Sequence, residues 1–221
     1  AMVDFFDGRE NWFDRRDFDV AIIGVPEARG ADDPSFAYAP NEIRYWLYGL
    51  RNGAGRHRIA DLGNLRGETL NDRYQALEDV VKHLHSKGVF VIVFGGSQDL
   101  TVSLSQGMKN QSRSFDIAIA DGLLDVDPDE QDFSADAFIH QLLAKQNGKL
   151  DKVTVMGAQY YYLSPRQEEY MANHCFPVFR LRDMKGDHIA RTEPVMRDAS
   201  LFSFDFGALE ALACQDMLRN P

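Results

Sequence analysis

Residues 89 to 108 read Val-Phe-Val-Ile-Val-Phe-Gly-Gly-Ser-Gln-Asp-Leu-Thr-Val-Ser-Leu-Ser-Gln-Gly-Met, and this stretch decides the fold class. Its opening run of apolar residues is typical of a strand that is buried on both faces, as in a parallel sheet. Two glycines end the strand, and residues 100 to 108 are predicted to form a helix. A strand, a glycine turn and a helix in this order form one unit of an α/β fold.

The same alternation repeats along the chain. Further strands are predicted at residues 19–25, 59–62, 115–121, 153–157, 176–181 and 200–205, and further helices at 40–50, 74–84, 135–145, 165–171 and 208–218. No hairpin signals separate them, so the strands are expected to run parallel and the helices to cover both faces. We therefore predict one three-layer αβα domain over residues 1–221, with a mostly parallel sheet and residues 1–17 as an N-terminal extension.

The composition narrows the functional classes. Hydrophobic residues make up 44% and charged residues 26% of the 221 residues, which is typical of a soluble globular protein. A net charge of -10 argues against nucleic acid as a partner, and no apolar run is long enough to cross a membrane. Cys175 and Cys214 have apolar neighbours in sequence, which favours two reduced thiols and a cytoplasmic location.

Candidate site residues follow three of the predicted strands. Gly95, Gly96, Ser97 and Gln98 follow the strand that begins at Val89. Asp121 and Asp125 lie at the end of the strand at residues 115–121, and Asp205 ends the strand at residues 200–205. Ligands of parallel sheets bind at the carboxyl ends of the strands, where converging carboxylates can hold a hard cation. The alternative for each aspartate alone is that it only caps the next helix.

Motifs in a characteristic order make the chain similar to the arginase, agmatinase and formimidoylglutamase family of ureohydrolases. These motifs are Gly24-Val25-Pro26 with Gly30, Ala39-Pro40-Asn41-Glu42-Ile43-Arg44, Asp61-Leu62-Gly63-Asn64, Gly95-Gly96-Ser97-Gln98, Asp121-Gly122-Leu123-Leu124-Asp125 and Ser203-Phe204-Asp205-Phe206-Gly207. The resemblance implies an arginase-like fold, shortened here at the C-terminus, and oligomers such as trimers or hexamers. It also implies manganese-dependent hydrolysis of linear C–N bonds.

The resemblance further implies six ligands for two manganese ions, and this chain retains half of them. Carried over by position, the two histidines fall on Gln98 and Leu123, and the four aspartates on Asp121, Asp125, Asp205 and Gly207. We therefore expect no catalytic residue of the family's kind, and as cofactor one divalent cation, manganese or magnesium, or none. That cation would bind Asp121, Asp125, Asp205 and Gln98. Without it, at least one carboxyl pKa would rise, or Arg29 or Arg44 would neutralise the cluster.

A second group of residues is predicted to line the same site at the carboxyl ends of the strands. Gln159 and Tyr160 follow the strand at residues 153–157 and join Gly95, Gly96 and Ser97 as candidate ligand-binding residues. The alternative is that one of the tyrosines 160, 161 and 162 packs inward while two lie on the surface. His140 on the helix after the middle motif is expected to face solvent rather than to serve as a ligand.

Three functional hypotheses remain open. The first is a ureohydrolase-like protein that is catalytically degenerate and binds a ligand or partner. The second is an active hydrolase of guanidino or formimino C–N bonds with a remodelled single-metal site, and the third is an α/β module that binds an anion on the Gly95-Gly96 turn. The expected partner is a small guanidino- or formimino-like molecule or none, with no nucleic acid and no membrane, in a homo-oligomer.

Overall fold

A computed structural model describes residues 3–5, 18–50, 55–108, 114–127, 129–130, 134–145, 150–174, 177–184 and 186–209 of the chain. The chain divides into two compact units, Ala1–Lys109 and Asn110–Pro221. Each unit carries a parallel sheet with flanking helices, which confirms the predicted fold class, although the described strands form two sheets where one was predicted. That residues 1–221 act as one domain stays a prediction.

Within the described part of the first unit, the sheet has four strands: β1 (Val3–Phe5), β2 (Val20–Val25), β3 (Ile59–Asn64) and β4 (Phe90–Gly95). Their order is β1-β3-β2-β4, and each pairing is parallel. Every residue of β2 after the first is buried, since this central strand has neighbours on both sides. The order places the ends of β2 and β4 side by side, with Val25 opposite Gly95.

Three helices accompany this sheet: α1 (Ala39–Tyr48), α2 (Leu70–Ser86) and α3 (Leu100–Gly107). Thr69 begins α2 with a capping box, because its hydroxyl accepts from the Asp72 amide at 3.1 Å and its own amide donates to the Asp72 carboxylate at 2.8 Å. Gly107 lets α3 approach α2 closely, since a Cβ there would lie 2.6 Å from the Glu78 carbonyl oxygen. Leu77, Val81 and Leu84 form the buried face of α2.

The second unit has the same plan. Its described strands are β5 (Phe115–Ala120), β6 (Leu150–Gly157), β7 (Val178–Arg180) and β8 (Leu201–Phe204), in the order β7-β6-β5-β8 with parallel pairing throughout. Its described helices are α4 (Phe138–Lys145), α5 (Pro165–His174) and α6 (Glu193–Asp198). Phe138, Leu142 and the β5 residues Ile117 and Ile119 are fully buried and form the core. None of the described helices is long and apolar enough to cross a membrane.

Some elements differ from those predicted. Strand β1 lies within residues 1–17, which the sequence places in an extension, and it adds to the edge of the sheet beside β3. Helix α6 was not predicted, because it is only six residues long and too short to show a helical period. The helix predicted at residues 208–218 and both cysteines lie outside the described residues, apart from a short 3-10 turn at Phe206–Ala208.

Candidate functional site

Two predicted site residues meet at the carboxyl ends of β5 and β8. Asp121 follows β5 and Asp205 follows β8, its neighbour in the sheet, with the Asp205 amide donating to the Ala120 carbonyl at 2.9 Å. The Asp121 carboxylate accepts from the Leu123 amide at 2.9 Å, and the Asp205 carboxylate accepts from the Gly207 amide at 2.5 Å. Both side chains therefore stabilise the turns that follow their strands, which is the capping role that the sequence left open.

The third aspartate completes an acidic cluster. The Asp125 carboxyl is hydrogen-bonded to that of Asp121, and Asp205 is close enough to act on both through its charge. Burial, and then the charge of Asp121, raises the pKa of Asp125 to about 9. Burial raises the pKa of Asp121 to about 6, and it also raises that of Asp205. Near neutral pH, Asp125 and Asp121 therefore share one proton, as expected for crowded carboxyls without a cation.

The end of β6 lies against this cluster. Gly157 has a φ of 105°, and a Cβ there would lie 2.8 Å from the Asp121 carbonyl oxygen, so only glycine allows this close approach. The Gln159 amide donates to the Gly122 carbonyl at 3.1 Å, and the Tyr161 hydroxyl donates to the Gln159 side-chain oxygen. Gln159 is thereby placed beside the acidic cluster, within the second unit.

The three consecutive tyrosines have different surroundings. Tyr160 is half-buried, while Tyr161 and Tyr162 are 74% and 60% exposed. The guanidinium of Arg180, the last residue of β7, lies over the Tyr160 ring at 3.7 Å from its centroid. This arrangement matches the alternative of one inward and two surface tyrosines, and the guanidinium of Arg180 contacts the inward one.

In the first unit, the glycine turn after β4 packs against protein rather than opening toward a ligand. A Cβ on Gly96 would lie 1.9 Å from the Glu27 carbonyl oxygen, so the glycine is required by the packing of two loops. Ser97 is buried and its hydroxyl donates to the same oxygen at 3.3 Å. The amide of Thr101 donates to the Gln98 carbonyl at 3.0 Å. Part of the turn's hydrogen-bonding capacity is therefore already used within the chain.

The two arginines considered as neutralising partners bind other carboxylates instead. Arg29 binds the buried Glu27 through Nε at 2.8 Å and Nη2 at 2.5 Å, and Arg44 binds the buried Asp61 through Nε at 2.7 Å and Nη2 at 2.9 Å. Burial alone would raise the pKa of Glu27 and of Asp61, but these hydrogen bonds outweigh it and leave each pKa below its ordinary value. Of the two expected alternatives, a raised carboxyl pKa or a neutralising arginine, the structure has the first, because Arg29 and Arg44 bind Glu27 and Asp61.

His140 is also placed differently from its expected position. It is half-buried, and its Nδ1 lies 3.1 Å from the Tyr170 hydroxyl on α5. Tyr170 in turn stacks on His174, with ring centroids 3.9 Å apart. The His140 ring is therefore a packing contact between α4 and α5 rather than a solvent-facing side chain.

The donor set does not fit a pair of manganese ions. In the described ranges, no group of three or more His, Cys, Asp or Glu residues is arranged to hold a metal ion. Leu123, at the position of a histidine ligand by resemblance, is 51% exposed, and Gly207 offers only backbone atoms. Gln98 belongs to the first unit and the aspartates to the second, so its role as a fourth ligand stays a prediction.

Parallel sheets with flanking helices and acidic turns at the strand ends define an α/β protein of arginase-like fold. The chain belongs to the arginase family, whose family model matches residues 18–212. A search of curated proteins found no match.

Solved structures of ureohydrolases share the fold at low sequence identity. Trypanosoma cruzi formiminoglutamase with Mn²⁺ matches with a TM-score of 0.79 and 22% identity, over 89% of this chain and 72% of that one. Formimidoylglutamase of Bacillus subtilis matches with a TM-score of 0.78 and 17% identity, over 97% and 71%. Agmatine ureohydrolase of Thermoplasma volcanium matches with a TM-score of 0.75 and 18% identity, over 97% and 75%.

Proposed function

We propose that this chain is a catalytically degenerate member of the arginase family that binds a small ligand or a partner instead of hydrolysing C–N bonds. The observation that carries the proposal is the donor set: the positions that the resemblance assigns to a histidine and an aspartate ligand hold Leu123, which is 51% exposed, and Gly207, which has no side-chain donor. A site that holds two manganese ions in the manner of this family is expected to offer nitrogen ligands and further carboxylates beside the shared ones.

The chemistry of the family explains why this loss would be disabling. Two metal ions lower the pKa of a bridging water and stabilise the charge that develops when it attacks the substrate carbon. A single ion held by three carboxylates lowers the pKa of a bound water less than two ions do. The activation barrier of hydrolysis would then be higher by on the order of several kcal/mol, which lowers the rate by several powers of ten. We therefore expect turnover close to the uncatalysed background.

The second candidate is an active hydrolase with a single remodelled metal site. The observation in its favour is that Asp121, Asp125 and Asp205 converge in one unit. A cation binding there must displace the proton of Asp125, so its affinity would fall as the pH is lowered. The third candidate, an anion-binding glycine turn, is disfavoured because Gly96 and Ser97 contact Glu27.

A turnover assay separates the first two candidates. Urea or formamide release is measured from L-arginine, agmatine and N-formimino-L-glutamate, with and without added Mn²⁺, for the wild type and for Asp121→Ala. If the proposal holds, neither protein releases more urea or formamide than a reaction without enzyme. Release by the wild type that is lost in Asp121→Ala would establish the single-metal hydrolase instead. The cytoplasmic location and the homo-oligomer stay predictions.

A further inference from the structure

Arg180 presents a guanidinium that lacks an acidic partner within the part of the chain that the structure describes. It is half-buried, and the ring of Tyr160 supports one face of its planar group. The β7 register places it opposite Gly157, the last residue of β6. An arginine held in this way is ordered in advance and keeps its N–H groups available at the edges.

The strand order of the second unit places Arg180 on the same sheet edge as the acidic cluster. The strand order is β7-β6-β5-β8. Arg180 ends β7, Gln159 follows β6, Asp121 follows β5, and Asp205 follows β8. Since neighbouring strands are about 4.8 Å apart, the backbone of Arg180 lies roughly 10 Å from the strand that Asp121 follows and roughly 14 Å from the strand that Asp205 follows. The edge therefore runs from a positive end to a negative end.

Gln159 adds a hydrogen-bond donor between these two ends. Its side-chain oxygen already accepts from the Tyr161 hydroxyl, which leaves the Nε2 group to donate. This Nε2 lies 3.9 Å from the position of a Cβ on Gly122, so it is turned toward the acidic side of the edge. A ligand that spans the edge would meet donors at one end and acceptors at the other.

We propose that Arg180, supported by Tyr160, is the receptor for a carboxylate of the ligand, and that the ligand carries a basic nitrogen at its other end. The inference rests on the proposed function, in which this edge binds a small molecule. A guanidinium fork binds a carboxylate through two parallel hydrogen bonds. A phosphate dianion is disfavoured because the carboxyl groups of Asp121, Asp125 and Asp205 lie toward the other end of the same sheet edge.

L-Arginine and agmatine provide a sharp test, because they share a guanidinium but only L-arginine carries a carboxylate. Binding is measured by isothermal titration calorimetry for the wild type, Arg180→Gln and Arg180→Lys, with inorganic phosphate as a third probe. The matched control is Arg182→Gln, since Arg182 is 77% exposed and lies two residues away.

The wild type should bind L-arginine about tenfold or more tightly than agmatine, as expected for a charge-assisted pair. Arg180→Gln should remove this preference, Arg180→Lys should retain part of it, and Arg182→Gln should keep it. Any of four results would overturn the assignment. They are no binding of L-arginine, equal binding of L-arginine and agmatine, an unchanged preference in Arg180→Gln, or tighter binding of phosphate than of L-arginine. Hydrolysis of L-arginine would contradict the proposed function but leave the Arg180 preference as a separate result.

Discussion

The Asp125 carboxyl and the Asp121 carboxylate at the end of β5 are joined by a hydrogen bond. Burial is the main reason that both pKa values are raised, and the second reason for Asp125 is the charge of its partner. In a site that holds a cation, the same two side chains would be ionised. In the metal-free pair, the Asp125 carboxyl donates this hydrogen bond and the Asp121 carboxylate accepts it.

Asp125→Asn should stabilise the metal-free protein. The pKa of Asp125 is about 9 in the folded state against 3.8 ordinarily, so its contribution to stability is complete below about pH 4 and is lost as the pH rises toward 9. The amide mimics the protonated acid and avoids this loss, so the gain should grow with pH, to about 1–3 kcal/mol at pH 8. Urea denaturation in EDTA at several pH values measures it.

The control for this series is Asp187→Asn, because Asp187 is exposed. Its effect should stay near zero across the same pH range. A constant or negative effect of Asp125→Asn between pH 5 and pH 8 would show that Asp125 is ionised in the folded protein.

Glu27→Gln should destabilise the first unit. Glu27 is 2% exposed, and its carboxylate accepts from Arg29 and from the backbone amides of Ala28 and Arg29. Its lowered pKa gives stability that is present above the ordinary value of 4.5 and is lost as the pH falls. The expected cost at pH 7 is about 2 kcal/mol, measured by thermal unfolding. Glu42→Gln, at an exposed position, should cost little; equal costs would refute the role of Glu27.

Arg44→Lys should cost much more than Arg58→Lys. Arg44 binds both oxygens of the buried Asp61, and a lysine ammonium cannot reproduce this fork. We expect a loss of about 2–4 kcal/mol in the free energy of unfolding. Arg58 is 55% exposed and lies 3.6 Å from Asp19, so its replacement should change little. Similar losses for both variants would mean that the Asp61 pair contributes no more than a surface pair.

Gly107→Ala should loosen the contact between α2 and α3. A Cβ at this position would lie 2.6 Å from the Glu78 carbonyl oxygen and 2.8 Å from the Val81 Cβ. The helices must separate to admit it, at a cost of about 1–3 kcal/mol. Gly49→Ala is the matched control, because the Cβ there would lie 3.4 Å from its nearest atom. Denaturant unfolding of both variants measures the difference, and an unaffected Gly107→Ala would show that α3 moves without cost.

Much of the fold could be predicted because apolar runs and helical spacing are local signals. The strands β2 and β5 lie within one residue of their predicted bounds. Strand β1 was missed because Val3–Phe5 is too short to show a period, and it is defined only by its partner β3. Pairing across the chain is the kind of information that a single sequence does not display.

The features of the candidate site also divide into those that local sequence could predict and those that depend on distant contacts. That Asp121 and Asp205 lie at the carboxyl ends of strands in the same sheet was predicted from the rule for ligand sites in parallel sheets, whereas the pairing of β5 with β8 was not predicted. The binding of Arg44 to Asp61 was not predictable, because 17 residues separate them and nothing local links the two. Arg180 and Tyr160 were missed as a pair for the same reason, since the arginine lies on β7 and the tyrosine follows β6.

The metal content of the protein tests the central claim most directly. The wild type is loaded with excess Mn²⁺ near pH 7.5, freed of unbound metal by gel filtration, and examined by elemental analysis and electron paramagnetic resonance. We predict at most one weakly held ion per chain and no exchange-coupled signal, since Leu123 and Gly207 supply no side-chain ligand for a second ion. Two retained ions per chain with the coupled spectrum of a dimanganese centre would contradict this account.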